Sequence, residues 1–219
     1  MGEGERQFDD FDAFADDYRA MHTRALQGTG ADSDYYSRFK VEDLARHEDT
    51  QTALHILDFG CGDGNSVVHM RQCFPHAAIS GVDVSSRSIE QASKRGIAGA
   101  SFDVFDGAHL PHADATFDVV FASMVFHHIQ FQLHASVLQE IRRVLKPGGR
   151  FHNYEHNPYN PLTRKVVRDC EFDTDAVLLK PSYTRRVTED AGMQVEADRG
   201  AGGILPGPLE RPAGGSLLL

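Results

Sequence analysis

Chemistry in this sequence concentrates at two pairs of neighbours, His127-His128 and Glu155-His156, and at a glycine-spaced run that opens on an acid, Asp58-Phe59-Gly60-Cys61-Gly62-Asp63-Gly64. Histidine titrates near neutrality and can take a proton from a hydroxyl or accept from an ammonium. The glycines reach backbone conformations closed to other residues and let a ligand approach with no Cβ in the way. If a helix follows them, its free N–H groups face that ligand and favour negative charge. Asp58 argues against a phosphate there, because two anions repel, and suits a ligand carrying an ammonium or hydroxyls. The dinucleotide fingerprint needs glycine at its first, third and sixth positions, and counting from Gly60 the sixth is Asn65, so the nicotinamide pattern fails. Cys61 at a helix start reads either as a reactive thiol or as filler. The 12 histidines raise the question of a metal. His152 and His156 would share a strand face, but no third ligand stands at a motif spacing, so no metal is expected.

These residues need elements to hold them. An apolar run over 54–59 predicts a buried strand, and Val67, Val68, Met70 and Phe74 predict an amphipathic helix after the glycines. Residues 77–83 read as a second strand ending in an acid, Asp83. The 22 residues between Gly60 and Asp83 are about the span of a helix and a return up the neighbouring parallel strand. A carboxylate there can accept both hydroxyls of a ribose, or cap the helix over 85–95, a task that Ser85 or Ser86 could equally perform. A third strand is expected over 100–105 and a continuous apolar one over 117–124. If the sheet is doubly wound, ligands sit outside the carboxyl ends of its strands at the switch point, which brings Ser123, Met124, His127 and His128 near the reacting centre. A helix over about 132–145, with apolar positions 133, 137, 138, 141, 144 and 145, stops at Lys146-Pro147-Gly148-Gly149, and a fifth strand follows over 150–154.

The chain has 219 residues, enough for one α/β domain with small additions, and its 41% hydrophobic and 25% charged content is that of an ordinary soluble protein. With neither a signal peptide nor a transmembrane run visible, a cytoplasmic protein with no membrane partner is the default. The three cysteines, Cys61, Cys73 and Cys170, form no disulfide framework. A formal net charge of -10 speaks against nucleic acid, whose binding rests on Lys and Arg displacing counterions.

The glycine run resembles motif I of the class I S-adenosylmethionine-dependent methyltransferases, where the loop holds the amino-acid part of the cofactor. Residues 50–155 follow the order and spacing of that family. The Phe117-Asp118 strand, His128-Ile129 and the Leu145-Lys146-Pro147-Gly148-Gly149 turn are as characteristic as the loop. The resemblance implies a cofactor site of Asp58, Gly60, Cys61, Gly62, Gly64, Asp83, Val84, Asp106, Gly107 and Ser123. Asp83 would take the ribose and Val84 would lie against the adenine. Asp106 would accept from the adenine amino group and the Gly107 N–H would meet a ring nitrogen, although Asp-Gly is also a common turn. Methyl transfer is an in-line displacement that needs positioning and at most a base, for which His127, His128, Glu155 and His156 are the candidates. His128 before Ile129 also recurs in the family as a structural feature of the strand-to-helix turn. The segment 155–164 resembles one found in small-molecule methyltransferases of the class, where Pro158 and Pro161 fix a rigid turn.

The expected architecture is an α/β, Rossmann-like, doubly wound and mostly parallel sheet flanked by helices, with its C-terminal strand pair incomplete. Residues 1–50 form a helical cap, 51–199 the S-adenosylmethionine-binding methyltransferase domain, and 200–219 an irregular tail. The cap's first helix would carry the aromatics at 8, 11, 14 and 18, and the resemblance lays it over the cofactor. A second cap helix is expected from Tyr35 to about His47, begun by Asp32 or Ser33. Residues 194–197 read as a short sixth strand, and six glycines and three prolines over 200–219 leave no room for a seventh. The expected function is methyl transfer from S-adenosylmethionine to a small-molecule oxygen, nitrogen or carbon, by a monomer or homodimer. The alternatives are a non-catalytic protein that binds S-adenosylmethionine and, further off, a nicotinamide-dependent oxidoreductase.

Overall fold

A computed structural model describes residues 12, 33–170 and 176–196. The described elements run α1 (Ser33–Leu44), β1 (His55–Phe59), α2 (Asn65–Cys73), β2 (Ala78–Asp83), α3 (Ser86–Lys94), β3 (Ala100–Val104), β4 (Phe117–Ser123), α4 (His134–Val144), β5 (Leu145–Tyr154), α5 (Pro161–Asp169) and α6 (Pro181–Asp190). The five strands form one sheet in the order β3-β2-β1-β4-β5, every pair parallel. The chain leaves β1 towards β3, then returns to lay β4 on the other side of β1. The crossovers above β1 and β4 therefore diverge, and this divergence opens a crevice at their carboxyl ends.

Alternation along the strands divides the core between two faces. Ile56, Val119 and Phe121 turn to a layer with Val41 and Leu44 of α1 and Val67 and Met70 of α2. Leu57, Phe59, Val120 and Ala122 turn to the other layer, under Val137, Leu138, Ile141 and Val144 of α4. Burial of each of these side chains larger than alanine contributes about 1.5–3 kcal/mol. Of the expected apolar positions, Val67, Met70 and Phe74 after the glycines and Val137, Leu138, Ile141 and Val144 of α4 are buried, while Val68 and Leu145 are only partly so, and no helix of the described residues is long and apolar enough to cross a membrane.

Several expected boundaries move. The second cap helix begins at Ser33 and ends at Leu44, and its other candidate cap, Asp32, lies outside the described residues. α4 starts at His134 rather than 132, because the chain after β4 first makes two short 3-10 turns, Phe126–His128 and Phe131–Leu133. Leu133 is consequently 44% exposed instead of buried. β5 begins at Leu145, not at 150: Leu145 pairs with Phe117, the next pair is Arg150 with Val119, and Lys146 to Gly149 bulge out between them. Gly148, at φ +80°, permits the bulge, and an ion pair from Lys146 to Asp118 (2.8 Å) ties it to β4. Residues 194–196 take no strand conformation, a correction to the expected sixth strand, whose last residue, 197, lies outside the described residues; Met193, just before them, packs against the core layer that holds α4. The aromatic N-terminal helix, apart from Asp12, and the 200–219 tail lie outside the described residues.

Candidate functional site

The first wall of the crevice is the glycine loop. The Gly60 and Cys61 N–H groups both donate to Val82 O (2.8 and 2.9 Å), which folds the loop back onto the end of β2. Gly60 sits at φ +72°, and a Cβ there would stand 2.4 Å from Val125 Cγ2. Nothing lies within 4 Å of where a Gly62 Cβ would point, which leaves the loop open on the crevice side.

Asp83 closes this wall from below. Its Oδ2 accepts from the Gly62 N–H (2.8 Å) and its Oδ1 from the Ser85 N–H (2.9 Å). Burial pushes its pKa up against those donors. Ser85, not Asp83, caps α3 by accepting from the Ser88 N–H. Asp12 reaches the same corner, where Oδ1 accepts from Ser85 Oγ (2.5 Å) and the Arg87 N–H (3.1 Å) and Oδ2 from Ser86 Oγ (3.2 Å).

The opposite wall follows β4. Met124 takes φ +61°, a conformation uncommon outside glycine, held by its N–H donating to Tyr154 O (2.8 Å). Glu155 then collects the loop from beneath, accepting from the Val125 and Phe126 N–H groups (3.2 and 2.8 Å) and pairing with His127 Nδ1 at 2.6 Å. Burial pushes the Glu155 carboxyl up, but His127 and the Phe126 N–H outweigh it and hold it below the ordinary value. The His127 ring lies 4.1 Å from that of His128 and 4.9 Å from that of His156, centre to centre. A second tie comes from His134, whose Nε2 lies 3.0 Å from both Phe126 O and Ile129 O. Carbonyls only accept, so Nε2 carries the proton and Nδ1 accepts from the Tyr183 hydroxyl of α6 (2.9 Å).

The cleft between these walls encloses about 230 Å³. Of the expected cofactor residues, Gly60, Cys61, Gly62, Asp83, Val84, Gly107 and Ser123 line it. Asp58, Gly64 and Asp106 do not. Asp58 is buried behind the loop with no partner for Oδ2, and burial together with the neighbouring Asp83 pushes its pKa up to about 8. Gly64 caps α2 in the left-handed conformation, at φ +77°. Asp106 turns back on its own chain, accepting from the Ala108 and His109 N–H groups (2.8 and 2.6 Å). Cys61 is buried, which pushes its thiol pKa up and supports the filler reading over the reactive thiol. Of the expected bases, only His128 lines the cleft; His127 and Glu155 form its support, and His156 packs on His127. In the 155–164 segment, Asn160 caps α5 by accepting from the Leu162 and Thr163 N–H groups.

Sequence reasoning passed over Lys40, Tyr36 and Ser37, which α1 brings to the cleft. Lys40 is 5% exposed and donates to Ser123 Oγ at 3.0 Å. Its one sequence signal is a lysine in register with Val41 and Leu44 on a helix otherwise expected to expose its charges.

Residues 56–149 match the family model described as a methyltransferase domain. Among similar proteins, the ubiquinone/menaquinone biosynthesis C-methyltransferase UbiE of Desulfotalea psychrophila is 36% identical over 142 residues, 64% of this chain and 54% of that protein. The 27-O-demethylrifamycin SV methyltransferase of Amycolatopsis mediterranei is 34% identical over 43% of this chain and 36% of its own length. The trans-aconitate 2-methyltransferase of Mycobacterium ulcerans is 29% identical over 71% and 62%. The chain therefore spans about a third to three fifths of the length of these curated relatives. In fold it is similar to a chain from the Haloferax volcanii complex of the Trm112 methyltransferase activator with a methyltransferase (TM-score 0.66, 22% identity, 93% of this chain and 86% of that one). By the match over 56–149, these relatives and the parallel sheet with its glycine loop, the chain is similar to the class I S-adenosylmethionine-dependent methyltransferases.

Proposed function

We propose that this chain transfers a methyl group from S-adenosylmethionine to an oxygen, nitrogen or carbon of a small molecule. The observation that carries the reading is the convergence on one cleft of the open glycine loop, the Asp83 carboxylate beside Val84, and His128 on the far wall. The residues fit the cofactor. Gly62 leaves room for a ligand against the backbone, and Asp83, whose carboxylate lines the cleft, keeps acceptor capacity beyond its backbone donors for a ligand hydroxyl. S-adenosylmethionine supplies a methyl group already activated on a sulfonium, so no protein nucleophile is required. The protein's part is to hold two ligands in line and to take a proton where the acceptor carries one. His128 is the cleft-lining group suited to that proton, and the Glu155–His127 pair holds its loop in place.

The relatives' names, which give 27-O-demethylrifamycin SV, ubiquinone/menaquinone biosynthesis and trans-aconitate, support a small molecule in preference to a macromolecule. Calorimetry on the full chain tests the reading: S-adenosylmethionine and S-adenosylhomocysteine should bind at the micromolar level and NAD should not. No binding of the first two by a folded chain would end it. Binding without methyl transfer to any of a broad acceptor panel would leave the non-catalytic binding protein in its place.

A further inference from the structure

Lys40 stands apart from every other cation of the described chain. It is buried, it forms part of the cleft wall, and among the described residues no carboxylate lies within 4.0 Å of its Nζ. An ammonium has three N–H donors, and here one is used, on Ser123 Oγ. The surrounding acids are engaged elsewhere. Glu155 is held by His127 and two backbone N–H groups, Asp63 by Arg95, and Asp83 by Gly62 and Ser85. No other lysine or arginine of the described residues lines the cleft.

Burying a cation with no carboxylate in contact is unfavourable even though the charge of Glu155 supports the ammonium from a distance, and a methionine would fill the same volume without that penalty. What the lysine adds is charge and two directed donors at the carboxyl end of β4. We propose that Lys40 is the carboxylate-holding residue of this cleft, its ammonium pairing with a carboxylate of the bound ligand while Ser123 fixes its position. The ligand chemistry is an anionic, two-oxygen group, matched to an ammonium by charge-assisted hydrogen bonds. Two sources carry it: the amino-acid end of S-adenosylmethionine, in which case the inference rests on the methyltransferase reading, and an acidic methyl acceptor. Burial lowers the Lys40 pKa to about 8, so the ammonium is still the main form at neutral pH, ready for an anion.

Full-length chain and its Lys40→Met variant, both checked for fold by circular dichroism, are titrated calorimetrically with three probes. S-adenosylhomocysteine carries the carboxylate. 5′-Methylthioadenosine shares its nucleoside and sulfur but lacks the amino-acid end. Acetate, added to the chain with and without methylthioadenosine, is a bare carboxylate. If the cofactor supplies the anion, the variant loses about tenfold to a hundredfold in affinity for S-adenosylhomocysteine and none for methylthioadenosine. If the acceptor supplies it, both nucleosides bind as before, and the saturable acetate binding of the parent disappears in the variant. Equal behaviour of parent and variant towards S-adenosylhomocysteine and acetate, whether acetate binds both or neither, overturns the assignment. Failure of the parent to bind either nucleoside would sink the methyltransferase reading alone; acetate on the free chain then still decides Lys40, for it if the variant loses the binding and against it otherwise.

Discussion

Two of the lone-pair positions of Asp83 are taken by the Gly62 and Ser85 N–H groups, so this carboxylate both shapes the glycine loop and faces the cleft. Asp83→Ala should weaken S-adenosylmethionine binding by about 1.5–3 kcal/mol through lost charge-assisted hydrogen bonds. It should also lower the melting temperature, because two backbone donors lose their acceptor. Calorimetry and a thermal melt on the same preparation check both effects, and unchanged affinity in a folded variant would take the ribose away from Asp83. Single residues divide sharply in how far their sequence reveals them. Asp83 could be named because its distance from Gly60 is set by a helix and a strand. Asp106 and Asp58, the other two acids of the pattern, were equally visible as residues, but side-chain direction decides their part. The first turns onto its own backbone and the second lies behind the loop. Lys40 escaped notice because its helix approaches the cleft only through tertiary packing, by way of the Tyr154 hydroxyl donating to Asp43 (3.0 Å) and the layer around Val41 and Leu44.

At the level of elements, the loops above β1 and β4 are built against each other. Gly60→Ala would set a Cβ 2.4 Å from Val125 and place alanine at φ +72°. The combined overlap and backbone strain should cost about 2–4 kcal/mol, measurable as a lower urea midpoint, together with weakened S-adenosylmethionine binding as the β4 loop is pushed aside. Retained stability and affinity would mean that the two loops yield freely. The β4 loop has its own tie to α6 through Tyr183 and His134. Tyr183→Phe keeps the ring that packs edge-on against Phe131 at 5.0 Å and removes only the hydroxyl that His134 accepts. The expected loss is about 1 kcal/mol of stability, with faster hydrogen exchange at Ile129 and the Val177 N–H, which donates to His127 O at 3.0 Å. Exchange as slow as in the parent would show that the Tyr183 hydroxyl adds nothing to the hold of His134 and Glu155 on the loop. Helices and strands with strong periodicity were legible to within a few residues, as α2 and β1 show. The 3-10 turns, the β5 bulge and the His134–Tyr183 tie were not, because carbonyl positions and contacts across 49 residues of chain decide them.

Across the whole molecule, the fold disfavours the charged forms of Asp58, Asp83 and Lys40, buried in and around the cleft, and this gives stability a particular dependence on pH. Asp58 has a folded pKa of about 8 against 3.8 unfolded, so the folded state binds the extra proton between those values. Its contribution is fully present below about pH 4 and is lost as pH rises through 8. Lys40 has a folded pKa of about 8 against 10.5, so the unfolded state binds the extra proton, and its contribution is present above 10.5 and lost as pH falls through 8. The two effects meet, and their sum passes through a minimum near pH 8, with slopes on the order of 1 kcal/mol per pH unit on either side. Asp83, raised in the same direction as Asp58, deepens the acid limb. Urea unfolding of the full chain at pH 5, 8 and 10 separates the contributions. Asp58→Asn should flatten the fall between pH 5 and 8 and leave the upper limb intact, and Lys40→Met should flatten the rise between 8 and 10 and leave the lower one. Parallel profiles for the parent and both variants would mean that these groups are hydrated in the folded chain. A bound carboxylate would pair with Lys40 and raise its pKa back towards the ordinary value. Saturating S-adenosylhomocysteine should therefore shift the upper limb to higher pH if the cofactor supplies that anion, and leave it where it stands if the acceptor does.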